Sequence, residues 1–200
     1  MGQENEVYKI TSTILSKLSS SYISENLSGK ANLAKLRKSV GKSITESNEV
    51  WQILFENLPE EFLGNTKTPS NYEKAILCSL QLYALHQQGK TDSVLSQTQE
   101  NKYKNIGYSL KQMRTSDNKD ALDRRFNAML VANTYEELSN HLRYMIKLLK
   151  SKAPETKVDY AKLAEDLYWF LVGYKKETRL NWAREYYKMN KTEKGEQENE

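Results

Sequence analysis

The sequence predicts an all-α fold, a bundle of about eight or nine helices around a central apolar helix. Three observations carry this. The 200 residues include only three prolines and eight glycines, so few breakers interrupt long elements. Apolar residues recur at helical spacing along most of the chain, with no alternation typical of strands and no fixed-period repeat. One stretch, Asn71–Gln88, is apolar almost all round, and a helix without a polar face needs neighbours on every side.

The elements follow in order. Val7, Ile10, Ile14, Leu15 and Leu18 share one face of a helix over Val7–Tyr22. A second helix covers Ala31–Val40. The run LPEEFL reads as a short helix with Pro59 in its first turn. Ser70 and Glu73 form a capping-box pattern that opens the central helix. Gly89 to about Lys104 is polar and aperiodic, and a mobile loop is expected there. A short helix near Ile106–Met113 follows, and Asp117 is the expected N-cap of Asn118–Ala132. Thr134 with Glu137 makes another capping box, opening a helix to about Lys150. Asp159 is expected to cap Tyr160–Leu171, which Gly173 ends. The last helix runs over Lys175–Met189. Residues 1–191 are expected to form one helical domain, and 192–200 a flexible acidic tail.

Composition narrows the function classes. No window approaches eighteen consecutive apolar residues, and the start MGQENEVYKI is polar and acidic, so neither a membrane span nor a secretory signal is expected. Met1-Gly2 is no myristoylation signal, because Glu6 stands where Ser or Thr is needed. The single cysteine, Cys78, excludes a disulfide framework and fits a reducing cytoplasm; within AILCSLQLYAL it reads as a small buried hydrophobe. The formal charge is +4 and unevenly spread. Residues 101–152 carry eleven Lys and Arg against five Asp and Glu, which makes a polyanion a reasonable partner class.

Catalytic chemistry is hard to assemble from these residues. His86 and His141 stand in no metal-ligand spacing. There is no glycine loop to cradle a phosphate, and GYSLK at Gly107–Lys111 lacks the second glycine of a nucleophile elbow. Glu60/Glu61 and Glu136/Glu137 are first-turn acids favoured by the helix dipole. No enzyme, metal or cofactor is expected.

The cations are more informative. With Leu138 as reference, Leu142, Met145 and Leu149 fall within about 40° of it, and Arg143, Lys147 and Lys150 at about 120–180°. That ridge suits a phosphate backbone, which asks for repeated charge rather than a shaped pocket. A solvated face with lysines favouring the helix dipole is the other reading. In ALDRRFNAML, Leu122, Phe126, Met129 and Leu130 form the apolar stripe. Arg124 points away from it and Arg125 sits at its border. Arg37 holds a similar border position between Leu33 and Val40. Two readings of Arg125 stay open: a head on phosphate, or an internal pair with Asp166. In the last helix, Lys175, Arg179, Trp182 and Tyr186 mix cations with aromatics, read as core residues with arginine packed over them rather than as base-stacking groups.

The blocks LAKLRKSVGKS, EVWQILFENLPEE, LYALHQQGK, IGYSLKQM, ALDRRFNAMLVAN, EELSNHLRYMIKLLKSK, VDYAKLAEDLYWF and LNWAREYY occur in an order and spacing that resembles the CasB family, the small subunit of the type I-E CRISPR Cascade complex. The resemblance covers about residues 32–188. It implies an all-α, non-catalytic protein of the cytoplasm that works in antiviral defence inside a ribonucleoprotein. The implied partners are guide RNA, target DNA with its displaced strand, the Cascade backbone and large subunits, and a second copy of the chain, with no membrane. Matching basic positions are Arg37, Arg125, Arg143 and Lys175/Lys176. Lys111 follows GYSL where the family often has glycine and then a basic residue, so its register is open. With Arg124, Lys147 and Lys150 these make the nine candidate nucleic-acid contacts. A helical adaptor whose basic face meets acidic protein is the rival class.

Overall fold

The computed structural model describes residues 4–65, 67–96 and 104–188. Among these the chain forms helices α1 (Glu4–Ile23), α2 (Leu27–Lys38), α3 (Trp51–Phe55), α4 (Asn71–Gln87), α5 (Ile106–Lys111), α6 (Lys119–Leu130), α7 (Tyr135–Lys152), α8 (Tyr160–Leu171) and α9 (Lys175–Tyr187). Short 3₁₀ turns occupy Ile44–Glu46, Asn48–Val50 and Glu60–Phe62. The all-α architecture is the one the periodicity predicts.

Helix α4 is the centre. Every residue from Ala75 to Ala84 is buried, and α1, α2, α7 and α8 pack around it. Its start follows from the capping box. Ser70 Oγ accepts the Glu73 N–H at 3.0 Å, and Glu73 Oε2 accepts the N–H of Ser70 at 2.6 Å and of Gly64 at 3.0 Å. The buried carboxylate therefore satisfies two backbone N–H groups at once. Polar residues inside α4 are tied to neighbouring backbone. Ser79 Oγ donates to the Tyr160 carbonyl, and Gln81 Nε2 to the Ser39 carbonyl at 2.7 Å. Cys78 is buried, and desolvation pushes its thiol up to about 11, so it behaves as the small hydrophobe expected.

At the other end of the bundle α5 lies against α9. Gly107 makes that possible: a Cβ there would collide with the backbone carbonyl of Trp182. The glycine of GYSLK is thus a close-approach residue.

Several boundaries differ from expectation for identifiable reasons. Helix α2 starts at Leu27 because Asn26 accepts the Ser28 N–H at 2.9 Å. The N-cap of α6 is Asn118, not Asp117. Its side chain accepts from Thr115 N at 3.0 Å and donates to Met113 O at 2.9 Å, stapling the preceding turn. Thr134 Oγ1 accepts the Glu137 N–H at 3.1 Å as expected, while the Glu137 carboxylate reaches past Thr134 to the Asn133 N–H at 2.7 Å, so only the return bond of the α7 box is shifted by one residue.

The largest correction concerns the loop after α4. Residues 89–96 are held: Gln87 Oε1 accepts Val94 N–H at 3.0 Å, and Gln87 Nε2 donates to Asp92 O at 2.9 Å. Val94 and Leu95 are buried, and Leu95 forms an isolated parallel bridge with Val158. A buried glutamine thus organises a stretch whose polar composition suggests mobility. Residues 97–103 and the acidic tail 192–200 lie outside the described residues.

Candidate nucleic-acid interface

The rotation of α7 is set by Leu138, Leu142, Met145, Ile146 and Leu149, all buried. Arg143, Lys147 and Lys150 consequently lie along one ridge away from the core. Lys147 is exposed, but Arg143 and Lys150 are half-buried, because the 40–44 turn and the end of α4 rise on the other side of the ridge.

Gly41 lies beside Arg143: a Cβ on Gly41 would stand 3.0 Å from the guanidinium, and its φ of 84° also favours glycine. Arg143 Nε is buried with no hydrogen-bond partner among the described residues. The side chain borders a cavity of about 170 Å³ between α4, α7 and the 40–44 turn, which Lys74 and Glu136 also line.

Lys150 donates to the Leu85 carbonyl at 3.2 Å, in the last turn of α4. Burial, and then the charges of Arg37 and Lys90, hold its ammonium below the usual lysine range. Three cations from α2, the post-α4 turn and α7 therefore share one field. Lys90 has an acid at 3.4 Å, the exposed Glu155. His86, buried beneath them, is pushed down to about 4 by burial and then by Lys150, Lys90 and Lys157. Its Nδ1 lies 3.0 Å from the Tyr160 hydroxyl.

Arg125 faces a groove between α6 and α7, which Lys147 also lines. It is exposed and donates to Ala121 O at 3.2 Å, within its own helix. The internal pair with Asp166 does not form. Lys162 Nζ stands 2.8 Å from Asp166 Oδ1, and Trp182 Nε1 donates to Oδ2 at 2.7 Å. Both carboxylate oxygens are used by α8 and α9, whereas Arg125 looks toward α7.

The remaining candidates separate. Arg124 and Lys176 are exposed. Lys175 donates to Asn133 O at 3.0 Å with its ammonium 5.1 Å from the Phe170 ring centre, and Arg179 donates to Ala132 O. Together they satisfy carbonyls just beyond α6. Lys111 donates to the Lys188 carbonyl, tying α5 to the end of α9. Trp182 and Tyr186 are fully buried, as the core reading of α9 expects. Arg37, Arg125, Arg143, Lys147 and Lys150 remain as one neighbourhood built from α2, α6 and α7. Sequence reasoning missed Lys90, which lies in the stretch read as a loop and shares the field of Arg37 and Lys150.

Residues 32–187 match the family described as CRISPR-associated protein Cse2. The chain belongs to the Cse2 family. The crystal structure of CasB from Thermobifida fusca has the same fold, with a TM-score of 0.72, 24% identity, and coverage of 90% of this chain and 97% of that one. No curated protein sequence matches the chain. The Cse2, or CasB, family is a structural subunit of type I-E CRISPR Cascade, as the sequence resemblance implies. All five residues of the basic neighbourhood lie inside the span matched to Cse2. Helix α1 lies outside it, yet packs on α2 and α8 and contributes Val7, Ile14 and Leu15 to the core. Among the described residues no helix is long and apolar enough to cross a membrane, and no group of three His, Cys, Asp or Glu is placed to hold a metal.

Proposed function

We propose that the chain is the non-catalytic small subunit of a type I-E Cascade complex and holds nucleic acid through Arg37, Arg143, Lys147 and Lys150, with Arg125 beside them. Its partners are guide RNA, target DNA including the displaced strand, the backbone and large subunits, and a second copy of itself. The observation that carries the reading is the ridge of α7, where Arg143, Lys147 and Lys150 lie away from the buried stripe Leu138–Leu149, with Arg37 of α2 within electrostatic reach of the half-buried Lys150. Cations held against one another gain when a phosphate arrives between them. The contacts are to backbone charge and carry no sequence information, which guide pairing supplies.

Counterion release makes this testable. If about four cations meet single-stranded phosphates, log affinity for an oligo-dT strand falls with log salt at a slope near −3. Arg143→Ala with Lys147→Ala should reduce that slope by about 1.4, two phosphate contacts being lost. A salt-insensitive affinity removes the reading. Co-purification with an acidic protein and no nucleic acid would favour an adaptor instead.

A further inference from the structure

We propose that Tyr144 is a stacking platform for one unpaired base of single-stranded DNA, seated in the groove between α6 and α7. The inference rests on the nucleic-acid reading above and gives that surface a component which charge alone does not.

Tyr144 is 66% exposed, more than any other aromatic side chain among the described residues. Other tyrosines are used by the fold: Tyr83, Tyr160 and Tyr186 fill the core, and Tyr72 stacks between Phe62 and Tyr168. Among the described residues Tyr144 stacks on no ring. A lone exposed tyrosine would need no explanation. This one stands on a groove of about 490 Å³ whose rim carries Arg125 from α6 and Lys147 from α7, with His141 one turn before the ring. None of the residues lining the groove is acidic. His141 and Lys147 each lie three residues from Tyr144, so both flank it on the same helical surface.

Aromatic faces between phosphate-binding cations are what a single strand requires, since every base offers a π-face while its phosphates need charge on either side. The occupant is DNA because of the lining. Ala128, Met145 and Leu148 line the groove with Tyr144, and the Ser151 hydroxyl donates to Leu148 O at 2.9 Å. The lining is largely apolar, so a deoxyribose can pack on it while a ribose 2′-hydroxyl would exchange water for mostly apolar contact.

The test uses the full chain, a fluorescent dT strand, the same strand with abasic sites throughout, and an rU strand of equal length, in low salt. Tyr144→Ala should weaken dT binding about 5- to 150-fold. Tyr144→Phe should stay within about twofold, because stacking needs the ring and not the hydroxyl. The salt slope should not change, no cation having been removed. Abasic strand should bind wild type and Tyr144→Ala alike, and rU should be weaker than dT on wild type only. An unchanged dT affinity in Tyr144→Ala, or an equal loss on abasic strand, overturns the stacking role while the charge-based function stands. A Tyr144-dependent preference for rU overturns the DNA assignment. Wild type that binds no strand at all overturns both.

Discussion

Trp182 donates its indole N–H to Asp166 Oδ2 at 2.7 Å, joining α9 to α8 through a fully buried ring and a buried carboxylate. The other oxygen of Asp166 lies 2.8 Å from Lys162 Nζ, which also reaches Glu165 at 2.6 Å. Replacing the tryptophan with phenylalanine keeps most of the apolar volume but leaves Oδ2 desolvated without its donor. Trp182→Phe is therefore expected to cost about 1–3 kcal/mol in urea unfolding, while leaving the salt slope for a DNA strand unchanged. A cost below about 0.5 kcal/mol would show that the bond contributes nothing net.

The same relationship decides what Arg125 does. With Asp166 occupied from within, exposed Arg125 has, among the described residues, the Ala121 carbonyl of its own helix as its hydrogen-bond acceptor. Arg125→Ala is expected to leave stability within about 0.5 kcal/mol of wild type. It should also lower the salt slope by about 0.7, the contribution of one single-strand phosphate contact. Thermal unfolding and a salt titration of the same preparation check both halves. A marked loss of stability with an unchanged slope would return the residue to an internal role. Arg114 is the contrast: its Nε and Nη2 each donate to Asp123 at 2.9 Å, and Tyr186 donates to the same carboxylate at 2.9 Å, so this arginine of the basic middle is already committed.

What could be read from residues alone follows the range of each interaction. Helix positions and their buried faces are local, and the stripes Leu138–Leu149 and Leu122–Met129 are buried as their spacing requires. The box at Ser70 and Glu73 is equally local. The held segment after α4 was not legible, because it depends on the amide of Gln87 and on Val158, far along the chain. Among the cations, helix geometry separates outward from inward positions but not the fate of an outward side chain. Lys111 and Lys175 reach carbonyls of Lys188 and Asn133, contacts set by how α5 and α9 dock. Tyr144 is the opposite case: its helix position is plain from the sequence, but the approach of Arg125, which makes its surroundings basic from two sides, depends on how α6 docks on α7.

His86 supplies a pH dependence tied to the same basic surface. Burial against Tyr160, and then the charges of Lys150, Lys90 and Lys157, push it down to about 4 in the fold from the ordinary histidine value of about 6.5. Between these values the unfolded chain binds the proton and the folded chain does not, so stability rises with pH there. The contribution is fully present above about pH 6.5 and is lost as pH falls toward 4. From pH 7 to pH 5 the loss from this one group amounts to about 2 kcal/mol, and most Asp and Glu side chains remain ionised over that range. His86→Asn keeps a hydrogen-bonding group beside the Tyr160 hydroxyl but cannot titrate. Its unfolding free energy is expected to be lower than that of wild type at pH 7 because volume is lost. It should fall less steeply on acidification, so that the gap between the two proteins narrows by about 2 kcal/mol at pH 5. Urea unfolding at pH 7, 6 and 5 measures this directly, and parallel curves for the two proteins would mean that His86 takes up its proton as readily in the fold as in the unfolded chain.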